Sequence, residues 1–238
     1  MPRLLLVLVA ACTPTATAGP AATGSATGSA TGSDITVRFE HDMLVRMHMH
    51  ENFGLVRAIE HLLVRGKLDD AKQLARGISQ APDEPGTAAW ATYAVRVRDR
   101  AGAVATAATL DDAVHALTRL GSACAECHIA TGTTPDLAVT PALPADGNDL
   151  AARMARHRWA AERLWEGLIA PSDDSWAAGL DVLAASPLPA SELGKARVPL
   201  ARDLQRTAVS ARKTRANDRA QVYGDLLATC AACHTKPR

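Results

Sequence analysis

Two pentapeptides carry the chemistry of this chain: "CAECH", with Cys124, Cys127 and His128, and "CAACH", with Cys230, Cys233 and His234. On a helix, cysteines at i and i+3 and a histidine at i+4 share one face. Thiols so placed can add to the vinyl groups of a haem while the imidazole turns onto its iron, the mechanics of c-type attachment. The competing readings of a CxxC are a redox pair or half of a zinc site. Both copies carry an immediate histidine, which a four-thiolate zinc site does not need. Two covalently attached haem c groups are therefore expected. Cys124, Cys127, Cys230 and Cys233 are the thioether anchors, and His128 and His234 sit against the iron.

The second motif stops four residues before the end of the sequence, with only Thr235, Lys236, Pro237 and Arg238 after His234. A sixth iron ligand for that haem has to come from upstream. Small cytochromes c that place CxxCH first and a methionine much later are excluded as a template for it.

The elements that hold these motifs follow from the rest of the chain. Its 238 residues suffice for two domains of ordinary size. Lys and Arg number 26 against 25 Asp and Glu, so no strong field argues for nucleic acid. Aromatic residues make up only 3% while Ala, Leu and Val abound, which suits packed helices better than a β-sandwich. The fifth cysteine is Cys12, so none is left over for a structural disulfide.

The opening "MPRLLLVLVAAC" has a basic Arg3, an apolar run from Leu4 to Ala11 and then Cys12. That is the pattern of a secretory signal, and the run is far too short to span a bilayer. "VAAC" resembles the bacterial lipobox, which makes residues 1–11 the signal and Cys12 the lipidated first residue. An ordinary signal with a stray cysteine, or a wrongly assigned start, are the alternatives. Residues 12–34 are rich in Ala, Thr, Gly and Ser and repeat "ATGS" three times, with no apolar periodicity. Such a stretch reads as a flexible tether, holding the body roughly 25 Å from an anchor. An exported, periplasm-facing protein anchored to the inner or outer bacterial membrane is expected, and c-type attachment requires export in any case.

The two motifs lie 106 residues apart (230 − 124), and one constant offset aligns much else. Asp112, Leu120 and Cys124 match Asp218, Leu226 and Cys230. Leu44, Arg57, Glu60 and Leu62 match Leu150, Arg163, Glu166 and Leu168, and Phe53 faces Trp159. This is an internal duplication. The Pro-rich stretch 131–147 is the linker between a first copy, 35–130, and a second, 148–238. Helical periodicity predicts four segments in each copy: about 35–65, 68–78, 87–108 and 109–130, then 149–169, 174–185, 196–214 and 218–234. "TLDD" spaces Thr109 and Asp112 as a capping box. The expected fold is all-α: two tandem antiparallel four-helix bundles, each with one haem near the C-terminal end of helix 4.

The distal ligands are then sought on the first helix of each copy. At heptad-like spacing the second copy offers Leu150, Met154, His157, Ala161, Leu164 and Leu168. The first copy offers Leu44, His48, Glu51, Leu55, Ala58 and Leu62. His48 and Met154 are the candidates on these stripes, His157 is the alternative, and Met47 and Met49 lie close by. Core filling by methionine and a vacant distal position are the competing readings. His41, His50, His61 and His115 are expected at the surface. Arg57 and Arg163 could meet haem propionates, though salt bridges with Glu60 and Glu166 are the plainer expectation.

This layout resembles the cytochrome c-prime family with its six-coordinate low-spin relatives, which are exported four-helix bundles. The resemblance rests on "CAECH" and "CAACH" at the ends of last helices and on "NFG", Asn52 to Gly54. It implies His128 and His234 as proximal ligands and a distal residue on helix 1. Anchored on "FG", the family position falls near Arg46, which is no ligand. The tandem form also departs from the usual single domain. The expected function is electron transport by a dihaem cytochrome working with periplasmic redox partner proteins, with no bond-making by the protein. If an iron is five-coordinate, NO or CO binding is the alternative. Peroxidase-like activity is a distant third, because no distal His–Arg pair can be placed.

Overall fold

The computed structural model describes residues 32–82, 90–135, 137 and 141–236, with side chains from residue 43 onward. The signal at 1–11, Cys12 and the tether as far as residue 31 lie outside the described residues. The chain divides into two units, Met1–Glu40 and His41–Arg238. Everything below concerns the second.

The described residues are helical and contain no strand. The helices are α1 (Gly32–Val64), α2 (Leu68–Ser79), α3 (Ala91–Thr106), α4 (Leu110–Thr131), α5 (Leu150–Ile169), α6 (Asp173–Ala185), α7 (Val198–Ser210) and α8 (Arg219–Thr235). The all-α expectation holds, with helix ends within a few residues of those read from periodicity. The predicted start of the third segment, 87–89, lies outside the described residues, and the largest difference is at the seventh. The predicted 196–214 closes early because α7 ends at Ser210 and a 3-10 turn follows over Ala211–Lys213.

Local chemistry explains the clearest boundaries. Thr109 opens α4 with a full capping box: its hydroxyl accepts from the Asp112 N–H, and the Asp112 carboxylate accepts from the Thr109 N–H. Asp149 and Ser172 cap α5 and α6 through their side chains. Gly66 closes α1 with φ 74°, a left-handed conformation that a side chain would strain. Its N–H bonds to the Leu63 carbonyl at 2.9 Å, and the Lys67 N–H to Leu62 at 2.8 Å.

Packing follows the chain order α2–α3–α4 in the first copy and α5–α6–α7–α8 in the second, and the copies meet through α4 with α8 and α4 with α5. One continuous set of buried residues runs through both, from Val56, Ile59 and Leu63 on α1 to Tyr223, Leu226 and Leu227 on α8. Gly224 makes the α4–α8 approach possible, because a Cβ there would lie 2.6 Å from His115 Cδ2.

The apolar stripe expected on α1 is corrected. Leu44 is 54% exposed and Leu55 37%, whereas Val56, Ile59, Glu60 and Leu63 are the buried set. The buried face is one residue, about 100°, around from the expected one. Among the described side chains of α1, those of its last three turns carry it. In α5 the expected Leu164 and Leu168 are buried, but so are Trp165, Glu166 and Ile169, because that end is enclosed on all sides.

Candidate haem-anchor sites

Both pentapeptides lie in the last turns of a helix, α4 and α8, as the spacing requires. All four cysteines are free thiols. Burial, reinforced by the neighbouring Cys127, pushes the Cys124 thiol up to about 12. Burial, then Glu60 and Cys233, does the same for Cys230, also to about 12. Cys127 and Cys233 are raised by burial as well. Redox-active and zinc-binding cysteines act as thiolates held at lowered pKa. All four are uncharged thiols with both sulfurs of each pair on one helix face, the arrangement that thioether formation to one ring needs.

The imidazoles are placed differently. His128 Nδ1 lies 2.9 Å from the carbonyl oxygen of Ile169, the last residue of α5. A carbonyl can only accept, so Nδ1 must carry the proton, and Nε2 keeps its lone pair for a metal. His234 is more exposed; burial lowers its pKa, and the positive charges of Arg197 and Arg65 lower it further. Both residues thus suit iron ligation by position, each directly after its pair of thiols.

The relative direction of the helices follows from a few contacts. Along α4 and α5 the contacts advance together: Gly121 approaches Trp165 and Leu168, and His128 meets Ile169. These two helices run parallel. Along α5 and α8 they run in opposite senses: Arg219 Nη1 donates to the Gly167 carbonyl, and the Tyr223 hydroxyl to the Ala161 carbonyl, each at 2.9 Å. Hence α4 and α8 are antiparallel, and their two pentapeptides point to opposite ends of the pair. The two CxxC pairs cannot combine into one four-thiolate site. Among the described residues no group of three or more His, Cys, Asp or Glu side chains converges on a metal position.

The distal candidates can be read against this frame. Met154 is half-buried. His157 is tied through Nε2 to the Ser186 carbonyl at 2.7 Å, and burial lowers its pKa against that bond, with Arg153 adding to the lowering. In the first copy His48 is half-buried with Nε2 2.8 Å from Asn52 Nδ2. Met47 and Met49 are exposed.

Arg57 and Arg163 form the within-helix ion pairs with Glu60 and Glu166 that their spacing allows. His50 and His61 are exposed as expected. His41 belongs to the side chains outside the description.

His115 is a correction. It sits in the α4–α8 contact, where Nε2 reaches Asp225 at 3.0 Å and Nδ1 the Asp111 carbonyl at 2.9 Å. Burial opposes its charge, but the Asp225 bond, the Asp111 carbonyl and both carboxylates outweigh it, so its pKa lies above the ordinary 6.5. A raised folded pKa contributes stability that is complete below the unfolded value and lost as pH rises through the folded one. Urea midpoints should therefore fall as pH rises above 6.5, and His115→Gln should flatten that slope. An unchanged slope in the variant would remove His115 from the account.

Sequence reasoning missed the Ile169 carbonyl, the His115–Asp225 contact and the bond from Tyr223 to Glu60. None of the three left a signal in the local sequence pattern, because each partner is distant along the chain. No known protein family, no curated protein and no solved structure matches this chain.

Proposed function

We propose that this protein is a dihaem c-type cytochrome of the tandem four-helix-bundle kind. It carries electrons on the periplasmic side of a bacterial membrane and is held there by a lipid on Cys12. The observation that carries this reading is the doubled site: free thiol pairs at the ends of α4 and α8, each followed at once by a histidine, with His128 Nδ1 turned to the Ile169 carbonyl so that Nε2 is left to face a metal. Haem bound there would supply one-electron cycling of its iron. The chain itself would anchor each of two rings through two thioethers, orient the two imidazoles and limit water access by burial. No helix among the described residues is long and apolar enough to cross a membrane.

Expression with a c-type maturation system tests the proposal directly. The intact mass should rise by two haems, and the pyridine haemochrome should show two thioether-linked groups per chain. A chain exported under those conditions without haem would overturn it.

A second reading has its own observation. The three distal candidates are unequal: His48 Nε2 faces Asn52 and His157 Nε2 faces Ser186, while Met154 is half-buried on α5. This favours a six-coordinate second haem beside a first whose open position could take CO or NO. Reduced protein should then bind CO at one haem rapidly, and Met154→Ala should make the second haem bind it too. Slow CO binding at both haems in the variant would remove Met154 as a ligand.

A further inference from the structure

The acceptor for His128 comes from the other copy. Ile169 is the last residue of α5, the first helix of copy two, while His128 ends the last helix of copy one. At the 106-residue offset the residue matching Ile169 is Leu63, and its carbonyl is already bonded to the Gly66 N–H at 2.9 Å. The turn after α1 reads "RGK" at 65–67, and the turn after α5 reads "PSD" at 171–173. Ser172 stands where Gly66 makes the left-handed turn that brings its N–H onto the Leu63 carbonyl. The second copy thus leaves open a carbonyl that the first copy closes, and His128 takes it.

We infer that the second copy is a positioning element for the first haem: the Ile169 carbonyl fixes the His128 tautomer and ring plane, while His234 lacks the equivalent acceptor because Leu63 is capped. This rests on the dihaem reading. A hydrogen bond to the far nitrogen makes a ligating imidazole more basic. A more basic ligand favours ferric over ferrous iron, so the first haem should be held at lower potential than it would have alone. The two haems are therefore unequal on their proximal sides, whatever occupies their distal ones.

The test has two arms on the full chain. Nitrogen-15 NMR of His128, with or without haem, should show a single tautomer with the proton on Nδ1. A mixture of tautomers, as in a free imidazole, or a proton on Nε2 in the haem-free chain, would overturn the inference by itself. The double substitution Pro171→Arg and Ser172→Gly copies the α1 turn, so that the N–H at position 172 competes for the Ile169 carbonyl. In the haem-loaded protein this should shift the ferric-to-ferrous balance of one haem by about tenfold, roughly 59 mV for one electron. The iron–histidine stretching frequency of that haem should fall, with the other haem as internal control. Equal movement of both haems, or of neither in a folded variant, would overturn the inference. Absence of haem would instead sink the proposed function, and the tautomer would still be read.

Discussion

Replacing Cys230 and Cys233 together by alanine is expected to remove one covalently bound haem and leave the other. The pairs sit at opposite ends of the antiparallel α4–α8 contact, so neither can substitute for the other. The intact mass of the matured protein should drop by one haem, and the remaining spectrum should be that of the first site alone. The reciprocal change at Cys124 and Cys127 should leave the second. The effect is all-or-none because a thioether requires the sulfur itself. Two haems retained in either variant, or both lost in each while helicity is preserved, would contradict independent anchoring. Single-cysteine variants should keep a singly linked haem, removed by one fewer bond and detectable by its shifted haemochrome band.

The largest effect on stability is expected at Glu60, which is only 3% exposed. Its carboxylate pairs with Arg57 one turn earlier and accepts from the Tyr223 hydroxyl at 2.9 Å, linking α1 to α8. Glu60→Ala should cost about 3 kcal/mol in denaturant unfolding, since breaking a buried pair leaves a desolvated charge behind. The low end of that class applies because Arg57 keeps 16% exposure and has Glu162 at 4.0 Å. By contrast, Arg206→Ala removes only the exposed pair with Asp203 and should change stability by less than about 1 kcal/mol. Comparable losses in the two variants would show that burial is not what gives the Glu60 pair its weight.

Glu60 also has a pH signature. Tyr223 has one hydroxyl proton and two acceptors at 2.9 Å, Glu60 and the Ala161 carbonyl. Both contacts are made at full strength only when Glu60 carries a proton of its own. Burial, the largest influence, raises the Glu60 pKa above the ordinary 4.5 against the opposing pull of Arg57. A carboxyl raised in the folded state binds its proton more tightly there, so stability falls as pH rises from 4.5 towards the folded value. Glu60→Gln keeps an acceptor for Tyr223 and should abolish this component.

Much of the architecture was legible because it depends on local rules. The Thr109–Asp112 spacing announced a capping box, Gly66 a helix end, and the apolar periodicity the run of helices among the described residues. What escaped depends on how helices face one another. The α1 stripe read through Leu44, Leu55 and Leu62 was displaced by one position: Val56, Ile59 and Leu63 form the buried set, and Glu60 is buried with them against Tyr223. His115 looked like a surface histidine because its partner Asp225 lies 110 residues away and the space for it is made by Gly224. The pentapeptides were recognisable from chemistry alone. The carbonyl that orients His128 was not, because it belongs to a backbone atom of a residue whose side chain says nothing about it.

The antiparallel crossing of α4 and α8 has a consequence for traffic. His128 is thirteen residues beyond His115 on one helix, and His234 is nine beyond Asp225 on the other, in opposite directions. At 1.5 Å per residue the two imidazoles are on the order of 30 Å apart. Tunnelling decays exponentially with separation, so a chain loaded at both ends would exchange charge internally far more slowly than with a docked partner. It would behave as two terminals on one rigid strut, able to serve a donor at one end and an acceptor at the other without either blocking its opposite.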